Sequence, residues 1–380
     1  MNSNNQASIL QLISSTSFLG AERVLCELSS HLDPACFICT VGLIGTEDHV
    51  VDVFRHAFVD GDVSVVHFPC SGKFSWKTVT AIADFVKEQQ IDIIHSHGYK
   101  SDFYAFIARF FKRSVRIVAT NHNWITNSHA EKIYRHIDLH LLKRFCNVIA
   151  VSESLALEMV EENICPERIR LIMNGISVTE PPTGPESSKF RIKHGISNSC
   201  YVVGCVASLI PVKAHSDLLM AFSRLVNSKH DSLLILVGDG PERGHLEKQA
   251  ANLGIKDKVF FLGYRQDARE LITAFDVFAL VSHSEGLPMA MLEAMAASKA
   301  VIVSAVGAIP TVITPKENGL LITPGDIEGI ATALIQYSNQ KEYRHKLGQN
   351  ARNTVASQYS VERMTLDYER VYKEALAGCP

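Results

Sequence analysis

Two glutamates, Glu285 and Glu293, stand eight positions apart within the apolar segment SHSEGLPMAMLEAMAA (282–297). The preceding run VFALVS (277–282) predicts a strand, and Pro288 suits the first turn of a helix. Glu285 is therefore expected in the loop and Glu293 on the helix. Free N–H groups at a helix start bind phosphate, and a carboxylate further along can accept hydrogen bonds from a ribose diol. This spacing alone usually means two solvated glutamates, but here the strand, the Gly-Leu-Pro turn and the apolar helix accompany it and favour a phosphate-containing ligand.

Short runs rich in valine and isoleucine alternate with amphipathic stretches along the chain, from ILQLIS (9–14) to AVIVSAVG (300–307). Continuous apolar runs of this length are typical of strands that are buried on both faces of a parallel sheet. Repeated strand–helix units predict an α/β fold of doubly wound parallel sheets with right-handed crossovers. Ligands bind such sheets beyond the carboxyl ends of the strands, which is where Glu285 is expected.

The alternation is interrupted once, at residues 174–200, where proline, glycine and serine predict an interdomain linker. A chain of 380 residues exceeds the usual size of one core, so we expect two Rossmann-like domains. The first is predicted at 1–180 and the second at 195–358, with the ligand in the cleft between them. An amphipathic helix at about 359–380 is expected to pack back on the first domain.

Composition narrows the class of protein. The formal net charge of −3 argues against a nucleic-acid-binding protein. Nine cysteines without framework spacing favour free thiols in a reducing compartment. The N-terminal stretch predicts no signal peptide, and no apolar run of about 18 residues predicts a membrane span. We therefore expect a cytoplasmic protein.

The segment SHSEGLPMAMLEAMA resembles the E-x7-E signature of the retaining glycosyltransferases of family 4, which have the two-Rossmann GT-B fold. Further stretches resemble that family in the same order along most of the chain. They are FLGAERV (18–24), HSHGYKSD (95–102), ATNHNW (119–124), NGISV (174–178), LVGDGPER (236–243), FLGYRQD (261–267) and VGAIPTVITPKENGLLITPGD (306–326). Each stretch alone is a weak signal, but their shared order and spacing are specific.

The resemblance implies a retaining hexosyltransferase that requires no metal or other cofactor and uses a UDP-sugar or GDP-sugar as donor. It implies that His122 and Glu285 contact the transferring sugar and that Lys213 neutralises the diphosphate. The implied donor-binding residues are Gly20, Ser208, Lys213, Gly263, Tyr264, Glu285, Gly286, Leu287, Pro288 and Glu293. A glycan or lipid-linked acceptor would bind near His97 and Lys100, in the synthesis of a bacterial surface polysaccharide. No nucleophile is evident, and Glu285 is not assigned as one.

The departure from the family pattern that bears most on donor binding is at Ser208. The family usually has an arginine where this chain has Ser208, five residues before Lys213. Loss of a charged donor opposite a leaving diphosphate is expected to weaken donor binding unless another cation replaces it. Arg265 and Arg23 are the candidates for that replacement.

Three other patterns suggest chemistry less strongly. Gly238-x-Gly240-x-x-x-Gly244 follows a predicted strand, but its third glycine is one residue away from the position in the dinucleotide fingerprint. Cys36 and Cys39 have metal-site spacing, yet a strand would point them to opposite faces. His95 and His97 share a strand face, but no third ligand is close in sequence, so a polar pair beside the acceptor is the better interpretation.

Two alternatives to transferase activity stay open. One is a nucleotide-sugar epimerase or a phosphorylase on the same fold. The other is a non-catalytic protein that binds a glycan or a partner subunit, which Ser208 motivates. Separately, residues 108–116 and 132–145 interleave basic and aromatic or aliphatic side chains, which is typical of helices at anionic membranes and of ordinary solvated helices. Peripheral association with the inner membrane face is therefore one expectation.

Overall fold

The chain divides into two compact units. Unit 1 combines Met1–Ser177 with Val361–Pro380, and unit 2 spans Val178–Ser360. The computed structural model describes residues 6–15, 18, 20–45, 47–59, 61, 63–70, 72, 74–122, 124, 129–178, 188–228 and 231–378.

Unit 1 is built on a seven-stranded parallel sheet with the order β3-β2-β1-β4-β5-β6-β7. Its strands are β1 Ala7–Ile13, β2 Phe37–Ile44, β3 Ser64–Phe68, β4 Ile93–His97, β5 Arg116–Asn121, β6 Asn147–Ala150 and β7 Ile169–Leu171. Its connecting helices are α1 Gly20–His31, α2 Asp48–Ala57, α3 Trp76–Glu88, α4 Tyr99–Phe111, α5 His129–Leu142 and α6 Glu153–Glu161. Serines cap two of these helices: Ser75 accepts from the Thr78 N–H, and Ser152 accepts from the Leu155 N–H.

Unit 2 is built on a six-stranded parallel sheet with the order β10-β9-β8-β11-β12-β13. Its strands are β8 Tyr201–Val206, β9 Ser232–Val237, β10 Val259–Phe261, β11 Val277–Leu280, β12 Ala300–Ser304 and β13 Leu320–Ile322. Its helices are α7 Lys189–Lys193, α8 His215–Asn227, α9 Arg243–Asn252, α10 Ala268–Leu271, α11 Met289–Ala296, α12 Ile309–Val312, α13 Ile327–Asn339 and α14 Lys341–Gln358. Single 3₁₀ turns occur at Pro166–Arg168, Pro211–Lys213, Lys256–Lys258 and Ile272–Ala274. The prediction of parallel-sheet α/β architecture is confirmed.

The last helix, α15 Val361–Ala377, belongs to unit 1, where it packs against α1 and β5. Its first N–H donates to the Ile176 carbonyl at 2.9 Å, and Glu369 accepts from the Asp33 N–H at 2.9 Å. Tyr368 and Tyr372 enter the interior at 1% and 0% exposure. Helix α15 therefore completes the core of unit 1.

The predicted linker at 174–200 was too long. Residues 179–187 lie outside the described residues, but α7 forms within the remainder. Arg191 on α7 is buried, and its guanidinium binds Asp276 at 2.6 Å and the Ala274 carbonyl at 2.8 Å. A buried arginine of this kind needs a complete set of acceptors, so α7 is part of the interior of unit 2.

The prediction that the cysteines are free thiols holds for most, but not all, of the cysteines that the structure describes. Seven are free, but Cys146 is disulfide-bonded. In the part of the chain that the structure describes, no helix combines the length and apolar character needed to cross a bilayer.

Candidate active site

The central feature of unit 2 is an ion pair at the carboxyl edge of its sheet. Strands β8 and β11 are parallel neighbours, so the loops that follow them meet. Lys213 follows β8 and Glu285 follows β11, and the Lys213 Nζ lies 2.7 Å from both carboxylate oxygens of Glu285. The Ser282 hydroxyl donates to Glu285 Oε1 at 2.6 Å. The Glu285 side chain is only 6% exposed, so this carboxylate is held in one position.

A glycine fixes the loop that carries Glu285. Gly307 has φ +54°, and a Cβ there would lie 2.0 Å from the Glu285 carbonyl oxygen. Beside it, the Ala308 N–H donates to the Gly286 carbonyl at 3.1 Å. Only glycine allows both the left-handed backbone and this close approach, so Gly307 helps set the height of Glu285 above the sheet.

Helix α11 begins directly after this loop, with Pro288 as its N-cap residue. Among the described residues, none accepts a hydrogen bond from the N–H groups of Gly286 or Leu287. A Cβ on Gly286 would meet nothing within 4 Å, so the backbone there is open on that side. Glu293 lies on α11 at 7% exposure. The start of α11 therefore presents backbone N–H groups, which bind anions. The ion pair of Lys213 and Glu285 lies at the same edge of the sheet.

The glycines after β9 and β10 serve close packing of loops. A Cβ on Gly238 would lie 2.0 Å from the Ala207 carbonyl oxygen, next to Ser208. The Gly238 N–H also donates to the Gly263 carbonyl at 2.8 Å, and Gly263 has φ +69°. Tyr264 follows with half of its surface exposed. These contacts bring Ser208, Gly263 and Tyr264 to the same edge of the sheet as Lys213.

Arg265, one candidate to replace the missing arginine, is engaged elsewhere. Its guanidinium binds both carboxylate oxygens of Asp267, at 2.7 and 2.6 Å. This ion pair raises the pKa of Arg265 and lowers that of Asp267. In this arrangement Arg265 therefore does not supply the positive charge that is missing at Ser208.

Unit 1 holds a second polar group of residues, around His122 at the end of β5. The His122 Nε2 lies 3.3 Å from the His97 Nδ1, and the His97 Nε2 lies 2.9 Å from Gln11 Oε1. Burial lowers the pKa of His122 to about 4 and the pKa of His97 well below its ordinary value. Both imidazoles are therefore neutral near pH 7.

The other two residues predicted in unit 1, Gly20 and Lys100, lie on different helices and have different surroundings. Gly20 is the first residue of α1, and Lys100 lies in the first turn of α4. The Lys100 Nζ donates to the Gly72 carbonyl at 3.5 Å, and a Cβ on Gly45 would lie 3.3 Å from that nitrogen. Lys100 thus reaches the loops after β2 and β3 rather than His97.

Several residues that the sequence did not single out belong to these sites. Ser282 and Gly307 act on Glu285, and Gln11 and Tyr372 belong to the polar group around His97. Gly307 lies in residues 306–326, which resemble the glycosyltransferase family, so the sequence did contain a signal for it. Gln11 had none, because a single glutamine in an apolar strand has no distinctive spacing. Among the described residues, no group of three or more His, Cys, Asp or Glu side chains is arranged to hold a metal ion.

Comparison with known proteins matches both units. Residues 19–180 match the family model described as Glycosyltransferase Family 4, and residues 186–354 match the model described as Glycosyl transferases group 1. The chain is 28% identical over 329 residues to the N-acetyl-alpha-D-glucosaminyl L-malate synthase of Bacillus anthracis, covering 86% of this chain and 85% of that protein. It is 25% identical over 296 residues to an Escherichia coli UDP-Gal:alpha-D-GlcNAc-diphosphoundecaprenol alpha-1,3-galactosyltransferase, covering 75% and 76% of the two chains.

Solved structures give the same result for the fold. The Anabaena protein Alr3699/HepE, crystallised with UDP and glucose, superposes with a TM-score of 0.82 at 24% identity, covering 96% of this chain and 99% of that one. A sucrose-phosphate synthase from Thermosynechococcus elongatus superposes at 0.80 with 18% identity, covering 98% and 100%. With both family models matched and GT-B enzymes as structural neighbours, this chain belongs to the group 1, family 4 glycosyltransferases.

Proposed function

We propose that this glycosyltransferase moves a hexose-type sugar from a nucleotide-diphosphate sugar to a glycan or lipid-linked acceptor, with retention of configuration, in bacterial surface polysaccharide synthesis. The observation that carries this proposal is the arrangement of Lys213, Glu285 and the start of α11 at one edge of unit 2. It combines a cation, a fixed carboxylate and open backbone N–H groups. A diphosphate attached to a sugar needs these three kinds of partner.

The residues then have separate roles. Lys213 stabilises the negative charge that develops on the leaving diphosphate, and the N–H groups of Gly286 and Leu287 assist it. Glu285 accepts hydrogen bonds from hydroxyls of the sugar, and Glu293 accepts them from the ribose. The bond between the anomeric carbon and the diphosphate breaks as the acceptor oxygen bonds to that carbon, and a diphosphate oxygen takes the acceptor proton. His122 contacts the transferring sugar.

UDP is the proposed nucleotide. The Anabaena neighbour was crystallised with UDP and with UDP-glucose, and the Escherichia coli relative is named for a UDP-galactose donor. A Corynebacterium glutamicum relative, 28% identical over 193 residues, is named for GDP-mannose, so GDP is the nucleotide to compare.

Calorimetric titration with UDP, GDP and ADP tests the donor site. We expect UDP to bind, and Glu293→Ala to weaken binding about tenfold, the effect of losing about 1.4 kcal/mol of binding free energy. Glu342→Ala is the matched control, because Glu342 is an exposed helical glutamate of the same unit. Absence of binding by all three nucleotides at millimolar concentration would remove the proposed donor site.

Product analysis separates the transferase from its alternatives. Incubation with a UDP-sugar and candidate acceptors is expected to release UDP and form a glycoside with the anomeric configuration of the donor. An isomerised nucleotide sugar would indicate an epimerase, and a sugar phosphate would indicate a phosphorylase. Either product in place of a glycoside contradicts the proposal.

We further propose that this enzyme is cytoplasmic and associates peripherally with an anionic membrane, which a basic aromatic surface on unit 1 supports. A cavity of about 550 Å³ near the end of α4 is lined by Phe106, Arg109, Phe110, Arg113 and Arg144. Phe110 is 67% exposed. Arginines beside exposed aromatic rings suit a surface that has anionic headgroups above an apolar interior.

Vesicle sedimentation tests this surface. Wild-type protein is expected to sediment with phosphatidylglycerol vesicles but not with phosphatidylcholine vesicles, and Phe110→Ser with Arg113→Ser is expected to reduce binding about tenfold. Leu157→Ser removes an equally exposed apolar side chain on α6 and serves as the control. Equal binding by the double variant and the wild type would exclude this surface.

A further inference from the structure

His122 is one end of a longer chain of buried hydrogen bonds in unit 1. From His97 the chain passes to Gln11, whose Nε2 donates to the Tyr372 hydroxyl at 2.9 Å. The Tyr372 hydroxyl lies 2.7 Å from His95 Nδ1. We call Gln11, His95, His97, Thr120, His122 and Tyr372 the histidine network, in which His95 Nε2 reaches the Thr120 hydroxyl at 2.8 Å.

The register of the sheet assembles this network. Gln11 on β1 is paired with His95 on β4, and His97 on β4 is paired with Thr120 on β5. Side chains two residues apart on a strand share a face, so His95 and His97 lie side by side, with ring centroids 4.2 Å apart. Tyr372 closes the group from α15. All members except His122 are nearly or fully buried, which requires every polar atom to have a partner.

The protons in this network can be assigned because its imidazoles are neutral. Burial lowers the pKa of His95 to about 3, as it lowers the pKa values of His97 and His122. Each neutral ring has one nitrogen that donates and one that accepts. A hydrogen bond at one nitrogen therefore determines the role of the other.

Gln11 is the residue from which the assignment follows, because its amide has a fixed donor and a fixed acceptor. Its Oε1 faces His97, so His97 Nε2 carries the proton and its Nδ1 accepts. His122 must then donate from Nε2, which leaves its Nδ1 without a proton. Among the described residues, the structure gives this Nδ1 no hydrogen-bond partner, and the ring is partly exposed.

We propose that Gln11 and Tyr372 are positioning residues that fix His122 as the Nε2–H tautomer, so that its Nδ1 faces the ligand as a hydrogen-bond acceptor. This inference rests on the proposed contact between His122 and the transferring sugar. A neutral acceptor nitrogen binds a sugar hydroxyl and is not a general acid at neutral pH. Reversal of the Gln11 amide would reverse every proton in the network and turn His122 Nδ1 into a donor.

Tyr372 contributes by holding the amide in its orientation. Its hydroxyl accepts from Gln11 Nε2 and donates to His95 Nδ1, so both of its hydrogen-bonding roles are used. Tyr368, one turn earlier on α15, packs its ring against His95 with centroids 5.4 Å apart, but among the described residues its hydroxyl contacts only the Thr120 hydroxyl, at 3.1 Å. The two tyrosines are almost equally buried and differ in whether the hydroxyl makes hydrogen bonds to Gln11 and His95.

The test compares Tyr372→Phe with Tyr368→Phe in the full-length protein. Nitrogen-15 spectra of labelled histidine side chains report the tautomer directly, and the His122→Gln variant identifies the His122 signals. In the wild type, we expect the unprotonated shift at His122 Nδ1. Tyr372→Phe is expected to mix the two tautomers and to lower kcat about tenfold with little change in donor KM, whereas Tyr368→Phe changes kcat less than about twofold.

Each outcome bears on a definite part of the proposal. A proton on His122 Nδ1 in the wild type overturns it, as does an equal tautomer shift in the two phenylalanine variants. Gln11→Met, which has similar volume but neither fixed donor nor strong acceptor, gives an independent check on the same signal. Unchanged transfer by His122→Gln would refute the proposed contact with the sugar, while the tautomer spectra would still decide the network.

Discussion

The two units hold their candidate groups by opposite electrostatic means. In unit 2, a lysine and a glutamate are both charged and lie at the edge of the sheet. In unit 1, histidines are buried and neutral, and hydrogen bonds fix their protons. The charged pair needs only two loops, at the carboxyl ends of the neighbouring strands β8 and β11, and a helix start. The neutral network needs partners on every side, which come from separate strands and from the last helix.

The largest effects are expected from breaking the charged pair. Lys213→Met and Glu285→Gln should each reduce kcat/KM at least about a hundredfold, because each removes a group aimed at developing charge or at the sugar. Lys213→Met also leaves the buried Glu285 carboxylate unpaired, at a cost of about 3 kcal/mol in the free energy of unfolding.

The double variant sharpens this prediction. Lys213→Met with Glu285→Gln should recover most of the lost stability, measured by urea unfolding followed by circular dichroism, without recovering activity. Additive losses of stability in the double variant would show that the two side chains are not coupled.

A smaller effect is expected at the glycine that supports Glu285. Gly307→Ala places a Cβ against the Glu285 carbonyl in a left-handed backbone, so we expect about tenfold weaker UDP binding and a loss of about 1–3 kcal/mol in stability. Gly244→Ala is the control, because its Cβ would meet nothing within 4 Å on helix α9. Equal UDP affinity in the two variants would contradict the role assigned to Gly307.

The smallest effect concerns the neutral network and pH. Below the ordinary histidine pKa of 6.5, the unfolded chain binds protons that the buried His95, with a pKa of about 3, does not. His95 therefore contributes stability that is complete above pH 6.5 and is lost as the pH falls. His95→Gln should reduce the slope of unfolding free energy against pH by about 1.4 kcal/mol per pH unit between pH 6 and 4.

Tryptophan fluorescence measures this slope selectively. Both tryptophans, Trp76 and Trp124, lie in unit 1 and report its unfolding. Burial raises the pKa values of Asp102 and Asp138 in the same unit, which opposes the histidine effect. Comparison of the variant with the wild type cancels this contribution. Identical slopes would mean that His95 is protonated in the folded protein.

The sequence predicted the site in unit 2 better than the network in unit 1, for a physical reason. The strand, turn and helix around Glu285 and Glu293 lie within 20 consecutive residues, so local sequence determines this part of the site. The histidine network joins Gln11, His97 and Tyr372, whose contact depends on strand order and register. The three-residue strands β7 and β13 lie outside the apolar runs from which the strands were predicted. Helix α7 was missed because proline and glycine dominate its surroundings.

The position of α15 sets an order on the assembly of this protein. Unit 2 is one continuous segment, so it can fold as soon as it has been synthesised. Unit 1 begins first, but Tyr372 joins it only after all of unit 2 has been made. Until then Gln11 Nε2 and His95 Nδ1 lack the Tyr372 hydroxyl that both bind, so the half of the enzyme that is translated first is the half that is finished last.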